Sequence, residues 1–191
     1  MITDRNKLLN TILFFAKETK HCNVTKLMKL LNFFDFEHFK NTGYPALCLE
    51  YQAWEHGPVP VSVYEEITTD TLPDDLKKLI TTKTDDLRTG YKETTIVPKK
   101  SQKVNFDYFS YNEKKILEKL AFIYKDATAK QMSEISHEEE KPWRITKEEK
   151  GLYSVIDYML AHDESGDISR ELAQENINDL ITLGNLFEYI D

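Results

Sequence analysis

The chain has 191 residues, 40% hydrophobic and 12% aromatic, with a formal net charge of −8. That length and apolar content suit one folded domain with a sizeable core, and they exclude a low-complexity or disordered chain. The charge is uneven: residues 126–191 hold 6 bases and 16 acids while the rest is nearly balanced, which argues against nucleic acid as the main ligand, because phosphate binders present a basic face.

No run of about 18 apolar residues is present, so no membrane span is expected. The N-terminal stretch mixes charges with its apolar residues and lacks the small-residue cleavage site of a signal peptide. Cys22 and Cys48 do not resemble a disulfide framework. The expected location is the cytoplasm.

Asp4 can cap a first helix that runs to about Lys20, with Leu8, Leu9, Ile12, Leu13, Phe15 and Ala16 on its apolar side. Asn23 offers a cap for the next helix, Val24 to Lys40, around which the chain is organised. Leu27, Leu30, Leu31, Phe34 and His38 share one face, and Met28, Phe36 and Phe39 form a second apolar stripe. Only a narrow strip with Lys26, Lys29, Glu37 and Lys40 stays polar, with Phe33 inside it. A helix apolar over most of its girth is buried on several sides. Gly43 suits a left-handed cap, and Pro45 prevents continuation.

Ala46 to Trp54 reads as extended and leads into His56-Gly57-Pro58-Val59-Pro60, a stiff, shaped turn. Pro60 opens a helix from Val61 to Ile67, with Tyr64 and Ile67 on one side. Asp74 to Ile80 is another short helix. Two weakly paired strands lie between Lys83 and Phe106, with turn chemistry at Thr89-Gly90 and a basic loop at Lys99 to Lys103. The second half is helical. Ser110-x-x-Glu113 and Thr128-x-x-Gln131 have capping-box form. Glu138 to Pro142 breaks the pattern, and Trp143 and Ile145 follow as anchors. Beyond Gly151 two helical stretches are expected, one with Leu152, Val155, Ile156 and Met159, the other with Leu172, Ile177, Leu180, Ile181 and Leu183. The tail from Asn185 is apolar enough to dock. The expected fold is mainly α, a compact multi-helix domain around a central buried helix, with a small β element.

Catalytic signatures are weak. The chain has no Walker loop, no G-x-G-x-x-G and no G-x-S-x-G. His137-Glu138-Glu139-Glu140 lacks the second histidine of a zincin helix, since position 141 is Lys. Cys22 and His21 are neighbours with no orienting third group. His38 reads as a hydrogen-bonded core histidine. Glu55 and His56 are the best-placed polar pair, on a rigid turn. No catalytic residue, metal site or cofactor is therefore expected.

Three stretches together resemble the SocA-type Panacea domain family. Lys26-Leu27-Met28-Lys29-Leu30-Leu31-Asn32-Phe33 is similar to its K-L-x-K-L-L-Y-F helix. Ala53-Trp54-Glu55-His56-Gly57-Pro58-Val59-Pro60, followed by Tyr64, is similar to its A-W-x-x-G-P-V turn. Ser133 to His137 followed by Pro142-Trp143 is similar to its later L-S-x-x-(S/T)-H…P-W segment. Met28 and Asn32 depart from the usual Gln and Tyr. The resemblance implies a Panacea-like antitoxin domain over 1–150, with 151–191 as an acidic helical extension packed on it. Its members include phage-associated proteins.

The resemblance implies an antitoxin of a bacterial or prophage toxin–antitoxin system that neutralises a nearby-encoded protein toxin by direct binding. The alternative it carries is an adaptor that delivers a partner to an ATP-dependent protease. A small hydrolase or transferase using Glu55, His56 and His137 is a further reading, and a DNA-binding autoregulator is weakened by the charge. A non-catalytic binder needs exposed aromatic anchors ringed by polar groups. The candidates are Trp54, Tyr64 and Trp143 beside the Gly-Pro turn, with Glu55 and His56. The acidic last third is a second candidate surface, suited to a basic partner.

Overall fold

The computed structural model describes residues 2–86, 92–135, 141–163 and 166–188. Asp4 caps α1 (Arg5–Glu18), its carboxylate accepting the Asn6 and Lys7 N–H groups at 2.9 and 3.1 Å. Asn23 caps α2 (Val24–Thr42) through the Lys26 N–H. Gly43 closes α2 in the left-handed region at φ 75°, its N–H bonded to the Phe39 carbonyl. There is a second reason for glycine at this position. A Cβ there would lie 2.7 Å from Asn176 Nδ2 and 3.1 Å from the Ala173 backbone, so it would block the last helix.

Leu27, Leu30, Leu31, Phe34 and Phe39 of α2 are fully buried, and α1, α5 (Tyr111–Ile123) and two short β elements pack around them. The chain is mainly α: eight α-helices stand beside two small antiparallel hairpins among the described residues. Strands β1 (Gln52–Trp54) and β2 (Gly57–Val59) pair in the register Gln52 to Val59 and Trp54 to Gly57. Strands β3 (Ile80–Asp86) and β4 (Lys92–Pro98) pair from Ile80 with Pro98 to Asp86 with Lys92. The expected turn at Thr89-Gly90 lies outside the described residues. Helices α3 (Val61–Thr68) and α4 (Asp74–Leu79) join the two hairpins. Both expected capping boxes form. Ser110 and Glu113 cap α5 reciprocally, and Thr128 and Gln131 do the same for α6 (Ala129–Ile135). Two further helices, α7 (Lys141–Lys150) and α8 (Arg170–Glu188), complete the fold.

Tertiary packing overrides the sequence pattern in five places. The first half of the polar strip of α2 is not solvated, because Lys26 is 0%, Lys29 2% and Phe33 2% exposed, while Glu37 and Lys40 are half-buried. Lys26 Nζ donates to the carbonyls of Lys20, Tyr124 and Ala127 at 2.7, 2.7 and 2.6 Å. Its ammonium thereby meets the negative end of α5, and burial lowers its pKa. His38 is half-buried rather than core, with Nδ1 2.6 Å from the Tyr44 carbonyl oxygen.

Only the end of the Ala46–Trp54 stretch is a strand. The preceding residues are held by the buried Asp35 carboxylate, which accepts the N–H groups of Leu47 and Leu49 and the Tyr51 hydroxyl. A carboxylate that satisfies two alternate backbone donors replaces part of the ladder a strand would need.

The fourth and fifth departures follow Gly151. Residues 151–157 are not helical. Gly151 and Tyr153 have φ of 88° and 67°, and the chain runs along the outer edge of β1. Ala53 N–H donates to the Ser154 carbonyl and Tyr153 N–H to the Ala53 carbonyl, at 2.9 and 2.8 Å. Val155 pairs with Gln52 as an isolated bridge. Leu152 and Val155 are therefore exposed, whereas Ile156 and Met159 are buried through a 3-10 turn at Tyr158–Ala161. In α8, Ala173 and Ile177 are buried against the rest of the molecule, while Leu172, Ile181 and Leu183 remain exposed.

Candidate partner-binding site

Two strands and a two-residue turn position the predicted residues. The pairing of Trp54 with Gly57 places Glu55 and His56 at the hairpin tip, where both side chains are exposed. Trp54 is half-buried. Its ring meets Tyr64 edge-on with centroids 5.0 Å apart, and meets Tyr153 at 6.0 Å. Tyr64 arrives from α3, because Pro60 sits at the cap position and starts that helix immediately after β2. Trp143 arrives from α7, and its indole N–H donates to the Trp54 carbonyl at 2.8 Å. Lys147, one turn on, lies 5.0 Å above the Trp143 ring, with Nζ 3.5 Å from the Glu55 carbonyl. All five predicted residues thus converge on one hairpin.

Beneath the hairpin is a cavity of about 290 Å³. Its walls are Trp54, Tyr64, Tyr153 and Met28, and its turn side is Gly57-Pro58. Gly57 is buried at φ 140°, a conformation that favours glycine. A Cβ on it would lie 3.0 Å from Lys29 Nζ. Lys29 and Gly57 therefore form one contact: the helix lysine is seated against the bare face of the turn.

Sequence reasoning misses two of these residues, Lys29 and Tyr153. Periodicity puts Lys29 on a polar strip, because helical spacing alone cannot distinguish water from a neighbouring turn. Met28, expected on an apolar stripe of α2, is buried in the core and also lines the cavity. Tyr153 lies in a stretch read as helix, and no local signal places it beside Trp54.

The catalytic alternative gains no geometry. Glu55 and His56 make no side-chain hydrogen bond or ion pair among the described residues, and His137 lies outside them. Cys22 is buried while its neighbour His21 is exposed, so the two do not form a dyad. Burial pushes the Cys22 thiol up to about 11, away from the thiolate a nucleophile needs. No group of three or more His, Cys, Asp or Glu side chains suited to a metal ion occurs among the described residues.

A family model described as "Antitoxin SocA-like, Panacea domain" matches residues 27–144. The chain belongs to this family. The match spans well over half of the sequence and includes Lys29, the β1–β2 turn and Trp143. It ends before Tyr153, so the Panacea domain of this chain has one wall of its cavity built from outside the matched segment. No curated protein and no solved structure matches the chain. Among the described residues no helix is long and apolar enough to cross a membrane.

Proposed function

We propose that this Panacea-domain protein is an antitoxin that neutralises a cognate protein toxin by direct binding, and that the β1–β2 turn with its aromatic surround is the contact surface. The family match carries the first part of this reading. The convergence of Trp54, Tyr64 and Trp143 at a rigid turn, beside the exposed Glu55 and His56, supports the second. Rigid aromatic groups ringed by polar ones are the residues on which binding energy concentrates. A turn held by two prolines and a buried glycine has little conformational freedom to lose on association.

The test is co-expression with the protein encoded next to this chain, following growth and partner abundance together. Restored growth with the partner still abundant is the expected result. Restored growth with the partner disappearing identifies a protease adaptor instead. No restoration against a toxin of verified toxicity overturns the antitoxin reading.

A further inference from the structure

The surface between α1 and α5 carries apolar groups that the fold leaves uncovered. Phe122 of α5 is 83% exposed, the most exposed large apolar side chain among the described residues, and the adjoining Ile123 is 46% exposed. Phe122 borders an open groove of about 370 Å³. On the α1 side the groove is lined by Phe14 and Glu18, and Phe106 joins them from the 3-10 turn Phe106–Tyr108. The Phe14 and Phe106 rings meet edge-on at 6.0 Å, so this side of the groove is aromatic. Grouped exposed apolar side chains rimmed by charged ones mark a surface that another molecule covers.

The order of residues along α5 selects the occupant. Glu118, Ala121, Phe122 and Lys125 follow one another at helical spacing and all border the groove. About a two-fold axis midway between Ala121 and Phe122, Glu118 lies as far before the axis as Lys125 lies after it. An antiparallel second copy therefore sets Glu118 against Lys125 twice, and the large Phe122 against the small, buried Ala121 twice. A two-fold interface requires this self-complementarity, because each surface is its own partner. Neither the Glu118 nor the Lys125 side chain makes a hydrogen bond or ion pair among the described residues, and Asp126, next to Lys125, is held by Lys20 at 2.8 Å. Exposed ion pairs add little affinity, so these set the register while the phenylalanines supply the burial. At about 0.15 M salt, screening beyond about 8 Å removes most of the repulsion between two chains of net charge −8 and leaves the contact pairs in place.

We propose that this protein forms a two-fold dimer through α5, with Phe122 of each copy seated in the groove of the other and Glu118 facing the second copy's Lys125. The groove shares no lining residue with the cavity beneath the β1–β2 turn, so the dimer carries two hairpins outside this interface. The proposal stands independently of the antitoxin reading.

The test is sedimentation velocity of the full chain from about 1 μM to about 1 mM in about 0.15 M salt. A reversible monomer–dimer equilibrium with a dissociation constant of about 10–100 μM is expected, as for a small two-fold contact. Phe122→Ala changes a side chain that stands in solvent in the single chain, and should weaken the dimer at least about tenfold. Glu118→Lys alone, or Lys125→Glu alone, sets like charges against each other twice and should also weaken it about tenfold. An equal mixture of these two single variants restores both opposite-charge pairs, and should return the affinity to that of the unmodified protein. A dimer formed through any other face would respond to none of these changes. A chain that stays monomeric up to about 1 mM overturns the proposal, as does a dimer indifferent to Phe122→Ala, or a mixture that associates no better than either charge variant alone. A monomeric chain whose Phe122→Ala variant loses growth rescue overturns it too, and assigns the groove to the toxin. Sedimentation needs no toxin, so its failure and a failure of growth rescue are separate results.

Discussion

Asp35 is the buried residue with the most unusual chemistry. Its carboxylate accepts from the Leu47 and Leu49 N–H groups and the Tyr51 hydroxyl, and the Tyr158 hydroxyl lies 3.1 Å away. Burial nevertheless pushes its pKa up to about 6, with those hydrogen bonds pulling the other way. An unfolded aspartate titrates near 3.9, so between these values the folded state binds more protons than the unfolded state. This group therefore adds stability as pH falls from about 7 to 4 and removes it as pH rises through 6, by at most roughly 3 kcal/mol for a shift of about two units. Denaturant unfolding at several pH values should show wild type gaining on Asp35→Asn upon acidification. Parallel stability curves would show that Asp35 does not titrate in this range. Lys26 gives the complementary case. Lys26→Met removes the donor shared by the Tyr124 and Ala127 carbonyls at the end of α5 and the Lys20 carbonyl just past α1, and should lower stability by about 2–4 kcal/mol in urea titrations. A loss below 1 kcal/mol would mean that water replaces the ammonium.

Among the elements, strand β1 is held from both edges. Strand β2 pairs on one side and residues 153–156 on the other, where Ile156 N–H also donates to the Tyr51 carbonyl at 2.8 Å. Tyr153 in that outer segment and Tyr158 just beyond it have opposite environments. Tyr158 is buried, stacks on Phe36 at 4.4 Å, and lies 2.6 Å from the Leu49 carbonyl oxygen, whereas Tyr153 stands exposed. Tyr158→Ala should cost about 3–5 kcal/mol, as expected for truncating a buried aromatic, and Tyr153→Ala less than about 0.5 kcal/mol, as expected at the surface. Thermal unfolding of the two variants side by side checks this contrast, and a similar loss in both would contradict the assigned burial. Gly57→Ala joins a strained φ to a contact with Lys29, and should destabilise by about 1–3 kcal/mol.

For the whole molecule, the division at residue 150 is a proposal about binding as much as about folding. Residues 151–188 supply Tyr153 to the cavity, Tyr158 to the core, and Asn176, which donates to the Thr42 carbonyl at 3.0 Å. Deleting Gly151–Asp191 should therefore weaken toxin binding more than Glu55→Gln, whose side chain is exposed and whose loss alters no packing. Calorimetry of each variant with the toxin, after circular dichroism confirms that the truncated chain folds, measures this directly. Equal affinities for truncated and full-length protein would assign recognition to residues 1–150 alone.

Features set by local chemistry can be read along the chain. Asp4, Asn23 and Ser110 can accept hydrogen bonds from helix N-termini, Gly43 can adopt a left-handed cap, and alternating faces of Leu and Phe can pack only inward. Those elements, the mainly α architecture and the family were legible from short-range pattern and motif. The β1–β2 turn was legible too, because Gly57, Pro58 and Pro60 restrict their own backbone. Packing between elements distant in the chain settled which charges are buried. Lys26, Lys29 and Asp35 look like solvated helix residues until the end of α5, the glycine turn and residues 47–51 close over them. It also decided that residues 151–157 are an edge segment rather than a helix. Their backbone partners are the unpaired groups of β1, about a hundred residues earlier in the chain, and no window of local sequence contains both.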